Sequence, residues 1–152
     1  MKGDIIPDSN HISRCCPQKH IDEEGRIQHT AFLLRTWKNE KMLSVNWLEY
    51  VRYDSIEDKI AEIQKIYNKN FTQPPLDFKA KIVILIVAEI RKKVREEIYD
   101  ERNIEIKHDS DIDSHSGIDY LLKVDNDNRL IAELIADLIH ETNSKTYPAR
   151  QD

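Results

Sequence analysis

The sequence predicts an α/β (or α+β) fold in which a small mixed β-sheet of about four strands packs against about three helices. Three observations predict it: a short apolar run rich in β-branched residues, an isoleucine stripe at helical spacing before it, and a wider apolar stripe near the C-terminus. Strand-like and helix-like patterns alternate in the order β-β-α-β-α-β-α, which is typical of helices packed on a sheet. Because no low-complexity linker divides the chain, we expect a single domain over residues 1–152.

The first third of the chain has the weakest secondary-structure signals. Residues 1–25 are rich in turn-forming residues, and we predict that they are largely loop. Residues 26–35 contain a short apolar run and predict an extended segment. Residues 42–48 alternate between apolar and polar side chains closely enough to predict a strand.

The clearest amphipathic helix follows Ser55, which is a good N-cap residue. Its apolar stripe steps by three and four residues, as one face of a helix does, and consists of Ile56, Ile60, Ile63 and Tyr67. Two consecutive prolines at 74 and 75 end this unit, since proline lacks the N–H that a helix needs.

Residues 81–88 give the strongest strand signal, because the segment is short, β-branched and apolar on both faces. We predict an interior strand there, then a helix over residues 89–99 and a half-exposed strand over residues 103–108. Residues 109–117 predict an acidic loop. A final helix carries a wide apolar stripe before a flexible tail over residues 145–152; the stripe consists of Leu130, Ile131, Leu134, Ile135, Leu138 and Ile139.

Composition excludes several classes of protein. The chain is 39% hydrophobic and 34% charged, with a net charge of -5, so it has no strong nucleic-acid signal. Its longest apolar run, residues 82–88, is far shorter than the ~20 residues that cross a bilayer. The N-terminus lacks the apolar stretch of a secretory signal. We therefore expect a soluble cytoplasmic protein without a membrane partner.

The two cysteines, Cys15 and Cys16, are adjacent and predict no disulfide framework. Histidines at four-residue spacing on either side allow a zinc site to be drawn, but adjacent cysteines strain a tetrahedral site. We predict two reduced thiols, no bound metal and no cofactor. Weak cation binding by Asp109, Asp111 and Asp113 stays open, because hard cations prefer carboxylate oxygens.

Candidate site residues fall in three polar clusters. His11, Ser13 and Arg14 combine an imidazole, a hydroxyl and a guanidinium, the groups that bind and protonate a phosphate or carboxylate. Arg35 closes an apolar segment, where a guanidinium can clamp an anion. His115 lies in the acidic loop after a strand. We predict that His11 and His115 approach each other as catalytic acid and base, with Ser13, Arg14 and Arg35 binding the anion.

Three short stretches resemble a group of small bacterial proteins. They are His-Ile-Ser-Arg from position 11, Ser-Val-Asn-Trp-Leu-Glu from position 44 and Asp-Ser-His-Ser-Gly-Ile from position 113. The similarity covers about residues 11–150. It implies a bacterial source and implies that the three stretches lie together, and it carries no activity with it.

Two functions from different classes remain open at this point. In the first, the chain binds a protein partner or a second copy of itself as a subunit of a larger assembly, because no complete catalytic motif is present and the stripe of the last helix is wide. In the second, it is a small hydrolase or nucleotide-binding enzyme that acts on a phosphate-containing or carboxylate ligand through His11, His115, Arg14 and Arg35.

Overall fold

The computed structural model describes residues 2–97, 104–124 and 126–151. These residues form one six-stranded sheet in which every neighbouring pair is antiparallel, in the order β4-β5-β2-β1-β3-β6. The strands are β1 (His11–Cys16), β2 (Met42–Trp47), β3 (Lys81–Ile86), β4 (Glu105–His108), β5 (His115–Asp119) and β6 (Thr146–Pro148). The predicted combination of helices and a sheet is therefore confirmed, but the sheet is larger than the predicted four strands and is not mixed.

Three α-helices accompany the sheet in the described residues: α1 (Ile56–Asn70), α2 (Val87–Glu97) and α3 (Asn126–Thr142). The N-cap prediction for α1 is confirmed, because Ser55 Oγ accepts a hydrogen bond from the backbone N–H of Asp58 at 3.1 Å. Short 3-10 helices cover Gln18–His20, His29–Phe32, Thr36–Lys38 and Leu48–Tyr50.

Three strands lie where the sequence predicted none. β1 falls in the predicted N-terminal loop, β5 begins within the predicted acidic loop, and β6 occupies the predicted flexible tail. Each carries polar residues or is very short, so its local pattern is weak, and pairing with a neighbour fixes it instead. Conversely, residues 26–35 are not a strand: Ala31 and Phe32 are buried from a 3-10 helix.

The predicted interior strand is confirmed by β3, which lies between β1 and β6. It ends at Ile86, and the last two residues of the predicted strand begin α2 instead. Predicted helical residues Ile98 and Tyr99 and the predicted strand residue Asn103 lie outside the described residues.

One face of the sheet, here the α3 face, packs against α2 and α3 and holds the larger core. Alternate strand residues point into it, as the two-residue period of a strand requires. They include Ile12, Leu43, Val45, Val83, Leu85, Ile106 and Ile118. Tyr120 Oη donates to the carbonyl of Phe32 at 2.6 Å, which ties the His29–Phe32 helix to this core.

The opposite face, here the α1 face, is covered over only part of its width. Its core cluster takes Ile63 and Tyr67 from α1, Cys15 from β1 and Ile82 from β3. Among the described residues, none from β2, β4 or β5 belongs to it. On that part of the sheet Ser44 is exposed and His115 is half-exposed, whereas Asn46 is buried.

The wide apolar stripe of α3 belongs to the core. Ile131, Leu134, Ile135, Leu138 and Ile139 are buried against the sheet and α2, and only Leu130 stays 38% exposed. The stripe is therefore used within the chain, and it leaves no broad apolar face on α3 for a partner.

None of the helices in the described ranges combines the length and the apolar character that crossing a bilayer requires.

Truncation of Leu85 tests the larger core. This side chain is 1% exposed, so Leu85→Ala should lower the free energy of unfolding by about 2–5 kcal/mol through lost burial and a residual cavity. Leu130→Ala, the same change at a half-exposed site, should cost below about 1 kcal/mol. Urea titration followed by circular dichroism measures both values, and equal losses would contradict this assignment of the core.

Candidate functional site

The central strands β1 and β2 pair over a short distance and then separate. Their register includes Ser13 opposite Asn46 but does not continue toward the C-terminal end of β1. Arg14 spans the gap: its Nη1 donates to the carbonyl of Ser44 at 2.7 Å, and its Nε and Nη2 donate to the carbonyl of Ala31 at 3.1 and 2.9 Å. The guanidinium thus satisfies a strand carbonyl that a continuous ladder would have paired.

A cavity of about 670 Å³ opens where the two strands separate, and we call it the Ser44 cavity. It is lined by residues of β1, β2 and β5, by the C-terminal part of α1 and by the segment around residues 30–40. Its volume lies within the ~300–1,000 Å³ typical of small-molecule sites. Its lining includes three predicted site residues: Arg14, Arg35 and His115.

Ser44, His115 and Asp109 form a chain of polar contacts beside this cavity. Ser44 Oγ lies 2.9 Å from His115 Nε2, and His115 Nδ1 lies 3.7 Å from Asp109 Oδ2. A carboxylate near Nδ1 favours the tautomer with the proton on that nitrogen, so that Nε2 accepts from the Ser44 hydroxyl. Ser44 is exposed, and the His115 and Asp109 side chains are 42% and 38% exposed. A hydroxyl, an imidazole and a carboxylate thus follow one another, with the imidazole–carboxylate separation longer than a hydrogen bond.

The strand register places these three groups. Ser44 pairs with Gly117, and Asn46 pairs with His115, so the serine and histidine are diagonal neighbours on the α1 face. The backbone N–H of Asp109 donates to the carbonyl of His115 at 2.9 Å, which fixes the ends of β4 and β5 together. A side chain at Gly117 would clash with Met42, which lies over this position.

Asp113 holds the turn that carries His115. Its Oδ1 accepts a hydrogen bond from the backbone N–H of His115 at 2.9 Å. Burial acts to raise the pKa of Asp113, but hydrogen bonds from His115 and Ser110 and the nearby His115 and His108 outweigh burial, and the pKa is lowered. The carboxylate therefore stays ionised and accepts these bonds.

Ser13, predicted to bind an anion, is fully buried beneath the site. Its hydroxyl lies 3.1 Å from Tyr67 Oη, which donates to the Ser13 carbonyl at 3.0 Å. Burial raises the pKa of Tyr67 to about 12, so this phenol stays neutral. Beside it, Ser114 Oγ donates to Asn46 Oδ1 at 2.8 Å. Ser13 is part of a buried polar network and does not face the cavity.

Arg35 lines the Ser44 cavity, but two of its guanidinium nitrogens are already paired with a carboxylate. Its Nε and Nη2 donate to Glu40 Oε2 at 3.0 and 2.8 Å. Because Arg14 likewise donates to protein carbonyls, anion binding by the two arginines stays a prediction. Trp37 also lines the cavity and is 76% exposed.

His11 lies apart from His115 and lines a different cavity. Its Nδ1 is 2.9 Å from Glu49 Oε2, and its backbone N–H donates to Glu49 Oε1 at 2.6 Å. The expected approach of His11 and His115 is therefore wrong. His11 is the first residue of β1 and lines a cavity at the N-terminal end of α1, whereas His115 lines the cavity beside the C-terminal turns of that helix.

Both cysteines are buried and unpaired. Burial raises the pKa of Cys15 and of Cys16 to about 12, so each is a thiol at neutral pH and a poor nucleophile. Within the described ranges, no group of three or more histidine, cysteine, aspartate or glutamate side chains is arranged to hold a metal ion. This includes the acidic loop around Asp109, Asp111 and Asp113.

Sequence reasoning missed Ser44 and treated Asp109 only as a cation ligand. Ser44 and His115 are 71 residues apart, and neither lies in a motif that identifies a nucleophile. The three stretches from positions 11, 44 and 113, which the sequence predicted to lie together, fall on or begin beside the adjacent strands β1, β2 and β5. Their juxtaposition was the one available signal that Ser44 and His115 share a site.

Alkylation of the cysteines tests their burial. In the native protein at pH 8, iodoacetamide should modify neither Cys15 nor Cys16, because both are inaccessible and protonated. Intact-mass measurement should show no adduct before denaturation and two adducts in urea. Rapid labelling of the native protein would contradict the structure.

His20 lines the Ser44 cavity, and the pKa of its imidazole tests whether the side chain is buried there. Burial, and then the charges of Lys19 and Arg14, lower its pKa from 6.5 to about 4. The unfolded chain therefore binds more protons between these values, so the contribution of His20 to stability is complete above pH 6.5 and is lost as the pH falls toward 4.

An NMR titration of the His20 imidazole should therefore show a midpoint near pH 4. In His20→Gln, the free energy of unfolding should fall less between pH 6.5 and pH 4 than it does in the unmodified protein. A midpoint near 6.5 would show that the imidazole is neither desolvated nor close to these charges.

Comparisons with protein-family models, with curated proteins and with solved structures found no match to this chain. The resemblance to small bacterial proteins stays a prediction, and the case for a function rests on the geometry of the site.

Proposed function

We propose that the protein is a small hydrolase that cleaves esters of small carboxylic acids, with Ser44 as nucleophile. The observation that carries this proposal is the 2.9 Å contact between Ser44 Oγ and His115 Nε2, with Asp109 on the other imidazole nitrogen. A serine hydroxyl is a weak nucleophile until an adjacent base accepts its proton. Here the hydroxyl, its base and an accessible cavity occur together.

The reaction proceeds in two steps. Ser44 Oγ attacks the ester carbonyl carbon while His115 Nε2 takes the hydroxyl proton; the alcohol then leaves with that proton, and an acyl ester of Ser44 remains. Water attacks the acyl ester, gives a proton to His115, and releases the carboxylic acid as that proton returns to Ser44 Oγ. Asp109 orients the imidazole and stabilises its positive charge during both steps.

Arg14 supplies positive charge where negative charge develops. Its Nη1 lies 2.7 Å from the carbonyl oxygen of Ser44, next to the attacking residue. A fixed cation beside the reacting atoms stabilises a tetrahedral oxyanion more than it stabilises the neutral ester, and such differential binding accelerates the reaction. This role is a form of the anion binding predicted for Arg14.

The alternative is a domain that only binds a protein partner. That expectation rested on the absence of a complete catalytic motif and on the width of the α3 stripe, and the stripe no longer supports it because those side chains are buried in the core. The accessible polar contact at Ser44 has no comparable structural explanation, because the hydroxyl is exposed and is not needed to satisfy a buried group.

A fluorophosphonate probe tests the proposal directly. The reagent should phosphonylate Ser44 with loss of fluoride, and peptide mass spectrometry should locate the adduct there. Ser44→Ala should abolish labelling, and His115→Gln should slow it by ~10²-fold or more, because a general base contributes about that factor. Asp109→Asn should cause a smaller loss, since its contact with the imidazole is longer.

Ser9→Ala is the matched control, because Ser9 is exposed and lines neither cavity. It should be labelled at the same rate as the unmodified protein and should hydrolyse p-nitrophenyl butyrate equally well. Absence of labelling in the unmodified protein, or labelling that survives in Ser44→Ala, would show that Ser44 is not an activated nucleophile.

A further inference from the structure

A second cavity of about 520 Å³ lies on the α1 face, at the N-terminal end of α1, whereas the Ser44 cavity adjoins the C-terminal turns of that helix. Its floor is aliphatic: Ile84 and Ile86 point to this face between the buried Val83 and Leu85, which point to the other. Leu48 and Ile56 continue the apolar wall. We call this the His11 cavity.

Charges of both signs border the aliphatic floor. Lys145 adjoins it, because the backbone N–H of Ile84 donates to the Lys145 carbonyl at 3.1 Å. Glu89 follows Ile86 by three residues in the first turn of α2. Both line the cavity, and neither makes an ion pair or a hydrogen bond through its side chain with any described residue.

His11 adds a fixed hydrogen-bond acceptor. It is the register partner of Ile86, so its imidazole lies beside the aliphatic floor. Glu49 faces Nδ1 at 2.9 Å and favours the tautomer with the proton on that nitrogen. The Nε2 lone pair has no partner among the described residues. This nitrogen is therefore available to accept a hydrogen bond from a ligand.

The hydroxyls at the rim do not compete for this role. Thr142 Oγ1 donates to the Leu138 carbonyl at 2.8 Å and lies 2.7 Å from Ser144 Oγ. These two groups therefore satisfy each other and the C-terminal turn of α3. The charged side chains that remain are one cation, Lys145, and one anion, Glu89, beside the His11 acceptor; the neutral amide of Asn143 and the hydroxyl of Tyr147 also line the cavity.

We propose that the His11 cavity binds an aliphatic α-amino acid. Lys145 pairs with the ligand carboxylate, whereas Glu89 and His11 Nε2 accept hydrogen bonds from its ammonium group. The branched side chain lies on Ile84 and Ile86, where it buries apolar surface. Glu89 would repel a purely anionic ligand, and Lys145 would repel a purely cationic one. A zwitterion, which carries one charge of each sign, is therefore the complementary class of ligand.

Isothermal titration calorimetry with L-leucine and three comparison compounds tests this proposal. Glycine lacks the aliphatic side chain, 4-methylpentanoate lacks the ammonium group, and 3-methylbutylamine lacks the carboxylate. L-leucine should bind saturably, and each comparison compound should bind about tenfold more weakly or worse, as expected for loss of a charge-assisted hydrogen bond or of buried apolar area.

Two variants assign the charges. In Glu89→Gln, the ratio of the affinities for L-leucine and 4-methylpentanoate should fall about tenfold, because the ammonium group has lost its partner. The ratio of the affinities for L-leucine and 3-methylbutylamine should persist in this variant. In Lys145→Gln, the second ratio should fall and the first should persist. Glu23→Gln and Lys79→Gln, which are exposed and line neither cavity, are the matched controls and should bind L-leucine as the unmodified protein does.

Circular dichroism melts should show that all four variants remain folded, since every changed side chain is partly or fully exposed. Any one of three results would overturn the proposal. These are no binding of L-leucine, binding of glycine as tight as that of L-leucine, and control variants that affect binding as much as Glu89→Gln and Lys145→Gln do. Ser44→Ala should bind L-leucine unchanged, so this result does not depend on the proposed hydrolase.

Discussion

The guanidinium of Arg14 holds the point at which the two central strands of the sheet separate, and the Ser44 cavity depends on that separation. Strands that stop pairing in the middle of a sheet leave carbonyl groups without partners, which is costly when water cannot reach them. Arg14 removes this cost by donating to the Ser44 and Ala31 carbonyls. Since one of these carbonyls belongs to the proposed nucleophile, the same group stabilises the fold and positions charge at the site.

The α1 face carries two cavities, one at each end of α1. The helix packs on β1 and β3 through Ile63 and Tyr67, and the buried Ser13–Tyr67 hydrogen bonds lie beneath it. The residues that line the two cavities differ in chemistry. The cavity over β2 and β5 is polar, with Ser44 and His115, whereas the cavity over the end of β3 has an aliphatic floor with charged edges.

The two histidines that the sequence grouped together illustrate how register decides chemistry. Both have a carboxylate facing Nδ1, Glu49 for His11 and Asp109 for His115. Only His115 has a hydroxyl at Nε2, because β2 pairs with β5 in the register that sets Ser44 diagonal to it. The same residue type is therefore the proposed base in one cavity and the proposed hydrogen-bond acceptor in the other.

Those elements whose signal is contained within one segment were predicted correctly. Apolar stripes at helical spacing predicted α1 and α3, and the N-cap preference of serine predicted that α1 begins after Ser55. A continuous β-branched run predicted β3. In each, periodicity and propensity act over a few neighbouring residues and need no knowledge of the partner.

The sequence by itself determined those helices, the interior strand and the types of polar residue available for a site. Tertiary structure decided that β1, β5 and β6 are strands, that Ser13 is buried, and that Ser44 meets His115 across 71 residues. These outcomes depend on which strands pair and in what register. Strand pairing joins residues that are distant in the chain, so no local pattern encodes it, and a shift of one residue would turn each side chain to the opposite face.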